Sequence, residues 1–191
     1  MFAILGWGSL LWDKREEFDK QHGDWKDNGP ILRLEFSRIS ESRGRALTLV
    51  IDQKHGAECR VAYSISARKT LADTIADLRC REGTTIANIG FVDMTAGTSR
   101  GRDPVSVDAV KLWAKENAIT AAVWTDLKSN FSAEVADFSV AAAVAHIQKL
   151  NAAGKSKAAE YVWRAPEFIR TPLRKALQNE PWFSAPDTEN R

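Results

Sequence analysis

The spacing of apolar residues changes along the chain, and this change limits the folds that the chain can adopt. Up to about residue 70, short apolar runs are separated by turn residues, a pattern that is typical of strands. Leu71, Ile75 and Leu78 then recur at helical spacing, which predicts a helix that ends at Gly83. Another helical face follows over 140–150. Strands first and helices later favour an α+β fold and not the alternating sheet of a nucleotide-binding domain.

The strand predictions rest on β-branched and alternating residues. Residues 59–65 alternate, with Val61, Tyr63 and Ile65 on one face, so one strand is expected there. Ser106 is the candidate cap of a helix in the second half. Other strands are expected over 2–5, 31–36, 46–51, 86–94 and 119–124.

The length and charge of the chain argue against several classes of partner. With 191 residues it fits one globular unit that buries enough surface to fold without disulfides. A net charge of +2 without a dense lysine and arginine block argues against nucleic acid and membrane surfaces as partners. The apolar segment 1–5 is too short for a secretory signal, and no apolar run is long enough to span a membrane. The expected location is therefore the cytoplasm.

The two cysteines, Cys59 and Cys80, and the three scattered histidines show no metal-site spacing. A structural zinc site needs about four Cys or His ligands in paired spacings. We therefore expect two reduced, partly buried thiols and no bound metal.

A glycine loop with the sequence Gly-Trp-Gly-Ser follows the first predicted strand, at residues 6–9. Glycines let the backbone approach a ligand closely, and successive N–H groups in such a turn form a concave site for a carboxylate or phosphate. The loop lacks the third glycine of a dinucleotide-binding fingerprint and the Gly-Lys-Ser/Thr of a phosphate loop. The alternative is a tight turn that packs residues 10–12 into the core.

Glu82 falls four residues after Leu78 and so lies in register with the apolar helical face. Burial and the negative end of the helix dipole both disfavour a charged carboxylate, so the pKa of Glu82 is expected to be raised. A raised pKa suits a carboxylate that accepts and returns a proton near neutral pH. Arg79 and Arg81 would reverse this shift if they pointed inward. The alternative is a helix that frays before residue 82, with Glu82 paired to a surface arginine.

Other constellations leave their functional and structural interpretations open. No histidine can be tied to Ser9, so a serine triad is not supported. The basic segment 38–45, which contains Arg43, either binds an anionic substrate or forms a solvated loop. Trp7 and Trp12 flank the glycine loop and either line a pocket or pack in the core.

Four motifs over residues 2–94 resemble one family in order and spacing. Phe-Ala-Ile-Leu-Gly-Trp-Gly-Ser-Leu-Leu-Trp-Asp at 2–13 resembles the opening of the ChaC-type, glutathione-directed γ-glutamyl cyclotransferases, which have a strand and a Gly-Tyr-Gly-Ser-Leu-Ile-Trp loop. Ser-Arg-Gly-Arg-Ala-Leu-Thr-Leu-Val at 42–50 is similar to their Gly-Arg-x-x-Thr-Leu-Val strand, and Arg-Val-Ala-Tyr at 60–63 to their Gly-Val-Ala-Tyr strand. Leu-Arg-Cys-Arg-Glu-Gly at 78–83 falls where the family has a helix ending in Asp-x-Arg-Glu-Lys-Gly, whose glutamate is catalytic.

The resemblance implies a fold and an activity. The fold would be a small mixed β-barrel with flanking helices. The helix-rich second half of the sequence adds the expectation of a helical C-terminal extension over 131–191, which packs on a cyclotransferase-like domain over 1–130 as a single globular unit. The activity would be cyclisation of a γ-glutamyl compound, an amide-cleaving reaction. Glu82 would take a proton from the α-amine of the substrate, and the freed amine would attack the γ-carbonyl. The products would be 5-oxoproline and an amine, amino acid or dipeptide, and no metal or cofactor would be needed.

The resemblance also implies that the amides of Gly8, Ser9 and Leu10 hold the carboxylate of the γ-glutamyl group. With the neighbouring loop residues and the basic segment, the expected substrate-binding set is Gly6, Trp7, Gly8, Ser9, Leu10 and Arg43.

The chain departs from the family pattern at two places. Trp7 stands where the family has tyrosine, and Gly-Thr-Thr-Ile-Ala at 83–87 replaces Lys-Gly-Gly-Tyr. Both departures bear on the substrate more than on the reaction class. Residues 95–191 lie outside the match and either wall off the pocket or form a dimer surface. A non-catalytic module that binds an acidic metabolite or a protein partner, and release of 5-oxoproline from a γ-glutamylamine, stay open as alternatives.

Overall fold

The computed structural model describes residues 1–186, which form eight strands in two sheets and seven α-helices. The strands are β1 (Phe2–Gly6), β2 (Ile31–Ser40), β3 (Ala46–Ile51), β4 (Ala57–Arg60), β5 (Ala62–Ile65), β6 (Ile89–Asp93), β7 (Thr98–Arg100) and β8 (Ala121–Thr125). The helices are α1 (Glu16–Asp19), α2 (Leu71–Glu82), α3 (Pro104–Glu116), α4 (Phe131–Glu134), α5 (Val140–Lys149), α6 (Ala152–Arg164) and α7 (Pro172–Gln178). The α+β prediction is confirmed, but these residues form two sheets and not the closed barrel that the resemblance implied. None of these helices has both the length and the apolar character needed to cross a membrane.

The backbone contacts divide the chain into two compact units. Unit 1 contains Met1–Leu32 and Arg60–Leu127, and unit 2 contains Arg33–Cys59 and the described residues from Lys128 onward. The predicted domain boundary after residue 130 lies close to Lys128, where the chain passes from unit 1 to unit 2. The sequence analysis did not assign Arg33–Cys59 to the same unit as the C-terminal helices. Residues 187–191 of the predicted extension lie outside the described residues.

Unit 1 is built on a five-stranded sheet in the order β5-β1-β8-β6-β7. β1 runs parallel to β8 and antiparallel to β5, and both β1 and β8 are buried along most of their length. Helix α2 packs on one face of the sheet, where Leu78 joins Ile4 and Val123 in the core. Successive side chains of a strand point to opposite faces, so Trp124 lies on the other face, where a Cβ at Gly90 would overlap its indole. The glycine loop therefore leaves from an interior strand of a well-packed sheet.

Two sequence predictions, a helix cap in unit 1 and a strand at the change of unit near residue 60, are wrong in detail. The cap of α3 is Asp103, whose carboxylate accepts a hydrogen bond from the Ser106 amide at 2.6 Å, while Pro104 occupies the first turn. Ser106 itself lies buried inside the helix. The single strand predicted over 59–65 is two strands, because Val61 leaves the strand ladder and donates its amide to the carbonyl of Pro30 at 3.0 Å.

Unit 2 has a three-stranded sheet in the order β3-β2-β4. β2 and β3 are antiparallel, with a change of register between Glu35 and Arg38. Helices α5 and α6 pack against β3, and α7 packs against α5. The apolar faces of α5 and α6 therefore supply one side of the core of this unit.

A carboxylate is fully buried in unit 2. Glu35 on β2 accepts hydrogen bonds from its neighbour Phe36 at 2.7 Å and from the amide of Leu173, in α7, at 3.2 Å. Burial raises the pKa of Glu35 above its ordinary value, the charge of Asp52 adds to the rise, and hydrogen bonds, including one from Thr171, oppose it. Glu35 thus joins α7 to the sheet, and the free energy needed to bury its side chain depends on its protonation state.

We expect the raised pKa of Glu35 to make the folded chain less stable as the pH rises. The folded state binds this proton more tightly than the unfolded state, whose glutamate titrates near ~4.3. The stabilising contribution of Glu35 to the free energy of unfolding is therefore fully present below that pH. It is lost as the pH rises through the pKa that Glu35 has in the folded state. Urea unfolding of wild type and Glu35→Gln from pH 4 upward should show the wild-type free energy of unfolding falling relative to the variant.

The control for this prediction is Glu58→Gln, since Glu58 is an exposed glutamate on the neighbouring strand β4. Asp52 does not disturb the comparison: burial raises its pKa, but the Ser37 hydroxyl and the amide, ring and charge of His55 outweigh this and lower it. Its contribution is lost only as the pH falls through that lowered value, which is below the range measured. Parallel stability curves for wild type and Glu35→Gln would contradict the prediction.

The two cysteines are both free thiols but differ in environment. Cys59 is buried in unit 2, and its burial raises the pKa of the thiol. Cys80 is exposed, with a guanidinium nitrogen of Arg79 at 3.1 Å from its sulfur. The prediction of two partly buried thiols is therefore wrong for Cys80.

Candidate active site

The glycine loop is a tight turn at the end of β1. A 3-10 turn over Ser9–Leu11 follows Gly8 directly, and the amide of Leu11 donates to the carbonyl of Gly8 at 3.0 Å. The first N–H groups of such a turn have no partner within it. Among residues 1–186, no hydrogen bond occupies the amides of Gly8, Ser9 and Leu10. The loop therefore has the consecutive N–H groups that an anion cradle requires.

The side chains of the glycine loop pack in the interior of unit 1. A Cβ at Gly6 would lie 2.9 Å from the Trp25 ring and 3.0 Å from a methyl group of Leu11, so the absence of a side chain at Gly6 lets both residues pack closely against its backbone. Trp7 is buried, and Leu10 belongs to the core cluster of unit 1. Both interpretations of the loop are therefore compatible here: the side chains fill the core while three backbone amides stay available. The substrate-binding roles of these residues stay predictions.

Helix α2 places Glu82 at its last position. The Thr70 side chain accepts a hydrogen bond from the Asp73 amide and caps the start. At the end, Gly83 adopts a φ of 58°, and the amide of Thr84 returns to the carbonyl of Arg79 at 3.2 Å. The predicted helix and its stop at Gly83 are confirmed, and the helix does not fray before Glu82. The Glu82 side chain is 20% exposed, so most of its surface is covered by the protein.

Arg81 brings the helix end and the loop together. Its Nη2 donates to the carbonyl of Ser9 at 3.2 Å and to that of Asp13 at 2.8 Å, while its Nη1 lies 3.8 Å from Oε1 of Glu82. The side chain of Arg81 is only 5% exposed. The structure thus brings the glycine loop and Glu82, both in unit 1, to one place through a residue that the sequence did not assign to the site.

The signal for Arg81 was present in the sequence. Arg81 follows the buried Leu78 by three residues, and residues three apart share a helix face just as residues four apart do. Its positive charge favours the ionised form of Glu82 and so opposes the effects of burial and of the helix dipole. The predicted rise in the pKa of Glu82 stays a prediction.

Arg43 belongs to unit 2, where it ends a 3-10 turn over Glu41–Arg43 between β2 and β3. Its guanidinium carbon lies 5.0 Å from the centre of the Tyr161 ring, within cation–π range. The predicted contact between Arg43 and a substrate stays a prediction.

Comparison with family models, with curated proteins and with solved structures finds no match to this chain. The function proposed for it therefore rests on its own motifs and on the geometry of the loop and of helix α2.

Proposed function

We propose that this chain is a γ-glutamyl cyclotransferase-like enzyme of the ChaC type, with a two-sheet form of that family's fold. It would cyclise a γ-glutamyl compound and release 5-oxoproline. The observation that carries the proposal is the Arg81 bridge, because one guanidinium group contacts both the Ser9 carbonyl of the glycine loop and the carboxylate of Glu82. A carboxylate and an anion cradle side by side are the two groups that this reaction needs from a protein.

The proposed reaction is a single intramolecular acyl transfer. The amides of Gly8, Ser9 and Leu10 bind the carboxylate of the γ-glutamyl group and fix its position. Ionised Glu82 accepts a proton from the α-ammonium group, and the freed nitrogen attacks the γ-carbonyl carbon. The bond from that carbon to the leaving nitrogen then breaks, and Glu82 returns its proton to the leaving nitrogen. The attacking nitrogen loses a second proton as it becomes the lactam nitrogen of 5-oxoproline, and the released amine takes up this proton and departs as an ammonium group. The attacking amine is part of the substrate, so the protein mainly supplies orientation and one proton carrier.

The experiment is a product assay on three classes of γ-glutamyl compound. Purified protein is incubated with glutathione, with a γ-glutamyl dipeptide and with a γ-glutamyl alkylamine, and 5-oxoproline is measured by chromatography. Release from at least one of them supports the proposal, and the one that reacts identifies the leaving group. No 5-oxoproline from any of the three would reject the cyclotransferase assignment.

A second candidate function is binding of an acidic metabolite without catalysis. A cavity of about 690 Å³ in unit 2 favours it, because its described lining includes three basic side chains, those of Arg170, Arg174 and Lys175, and the carboxylate of Glu167. Calorimetric titration with glutamate separates the candidates. Binding that Lys175→Gln weakens, in a protein that forms no 5-oxoproline, would favour this function, whereas binding unaffected by that change would not.

A further inference from the structure

Arg81 is an almost buried cation at the end of α2, with a side chain 5% exposed. A buried charge is costly unless it is paired and hydrogen-bonded. Its neighbour in sequence, Arg79, has a different environment, since its guanidinium reaches the sulfur of exposed Cys80 at 3.1 Å. The two arginines thus occupy the same last turn of α2, but only Arg81 points to the glycine loop.

One guanidinium nitrogen of Arg81 fixes the backbone on the far side of the loop. Nη2 donates to the carbonyls of Ser9 and Asp13. The Ser9 carbonyl also accepts the amide of Asp13 at 2.8 Å, which closes the turn after the three unoccupied amides. A change in the position of this nitrogen would therefore change the position of the amides.

The same guanidinium belongs to a row of alternating charges. Arg15 lies 3.2 Å from Oδ2 of Asp13, Arg81 lies 3.5 Å from that oxygen, and Arg81 lies 3.8 Å from Glu82. Asp13 and Glu82 thus share the positive charge of Arg81, and Arg15 partly neutralises Asp13. Arg81 is the cation that these ion pairs place next to the Glu82 carboxylate.

We propose that Arg81 is the positioning residue of this site: Nη2 holds the glycine loop in its binding shape, and Nη1 keeps the Glu82 carboxylate ionised beside it. This inference rests on the proposed function, because an ionised Glu82 is the form that accepts the proton of the α-ammonium group. A planar guanidinium can serve the two groups at once because its donors are arranged in a rigid fork. The ammonium group of a lysine keeps the charge but not this geometry.

The test compares Arg81→Gln and Arg81→Lys with the matched control Arg79→Gln, which removes the same charge from the same helical turn. In Arg81→Gln, KM for the γ-glutamyl substrate should rise about 10- to 100-fold, as expected for the loss of a charged hydrogen bond. The acid limb of the kcat/KM profile should also move to higher pH, because the positive charge of Arg81 no longer lies near the Glu82 carboxylate. Arg81→Lys should restore the acid limb while KM stays raised. Arg79→Gln should change neither quantity.

Identical KM values and acid limbs in Arg81→Gln and Arg79→Gln would overturn the inference. Should Arg81→Gln fail to fold, as judged by near-UV circular dichroism, a wild-type KM in Arg81→Lys would overturn it. Failure of the proposed function is separate, since it appears as absence of product with wild-type protein. In that case a carboxyl-labelled NMR titration of Glu82 decides: an equal midpoint in wild type and in the Arg81 variants refutes the inference, and a higher midpoint in Arg81→Gln alone supports it.

Discussion

Replacing Glu82 with glutamine is expected to lower the rate of 5-oxoproline release by about 10²- to 10⁴-fold, the usual contribution of a general acid–base group. Glutamine has nearly the same shape but cannot accept the proton of the α-ammonium group or return it to the leaving amine. The three loop amides do not change, so KM should change much less than kcat. Steady-state kinetics on the substrate identified by the product assay measures both.

Glu116→Gln is the matched control for this substitution. Glu116 is also the last residue of a helix, α3, but it is exposed. The control makes the same chemical change at the same helical position and should leave the rate at the wild-type level. Equal activity in Glu82→Gln and wild type would remove Glu82 from the mechanism.

Replacing Leu78 with alanine is expected to lower the free energy of unfolding by about 2–5 kcal/mol, as for other buried leucines. Leu78 is 0% exposed and packs with Ile4 and Val123 between α2 and the sheet. Its truncation leaves a cavity beneath the helix that positions Arg81 and Glu82. Urea unfolding followed by tryptophan fluorescence measures the loss.

The control for Leu78 is Leu112→Ala in α3, because Leu112 is 60% exposed. The same truncation at a helical position on the surface should change the free energy of unfolding by less than about 0.5 kcal/mol. A loss of that small size in Leu78→Ala would show that α2 does not pack on the sheet as described.

The elements that the sequence predicts well are those with local causes. Helix α2 has an apolar face at helical spacing and a glycine that accepts a positive φ at its end. β3 has the bounds that its β-branched run predicts. Each of these features depends on residues within a few positions of one another.

Two of the failed predictions concern patterns that are compatible with more than one structure. Ser106 and Asp103 are both acceptable caps, and the structure uses Asp103 because Pro104 then takes a position that needs no amide donor. The alternation over 59–65 does not reveal that β4 and β5 belong to different sheets. A regular pattern shows which faces are apolar but not which neighbour covers them.

The candidate site also has features that the sequence predicts and features that it does not. The sequence predicts the glycine loop and the helical position of Glu82, because strand, turn and helix are each specified locally. It does not predict that Arg81 joins them, since the carbonyl of Ser9 that Arg81 contacts is 72 residues away. It likewise gives no sign that Glu35 accepts a hydrogen bond from the amide of Leu173, 138 residues away.

The sequence by itself therefore determined the α+β class and the position of Glu82 at the end of α2. Periodicity and capping act over one or two helical turns, so the order of residues is enough for both. Only the tertiary structure decided which segments form each unit and which cation lies next to Glu82. Those outcomes depend on contacts between residues far apart in the chain, which form when the apolar faces pack together and bring the charged groups with them.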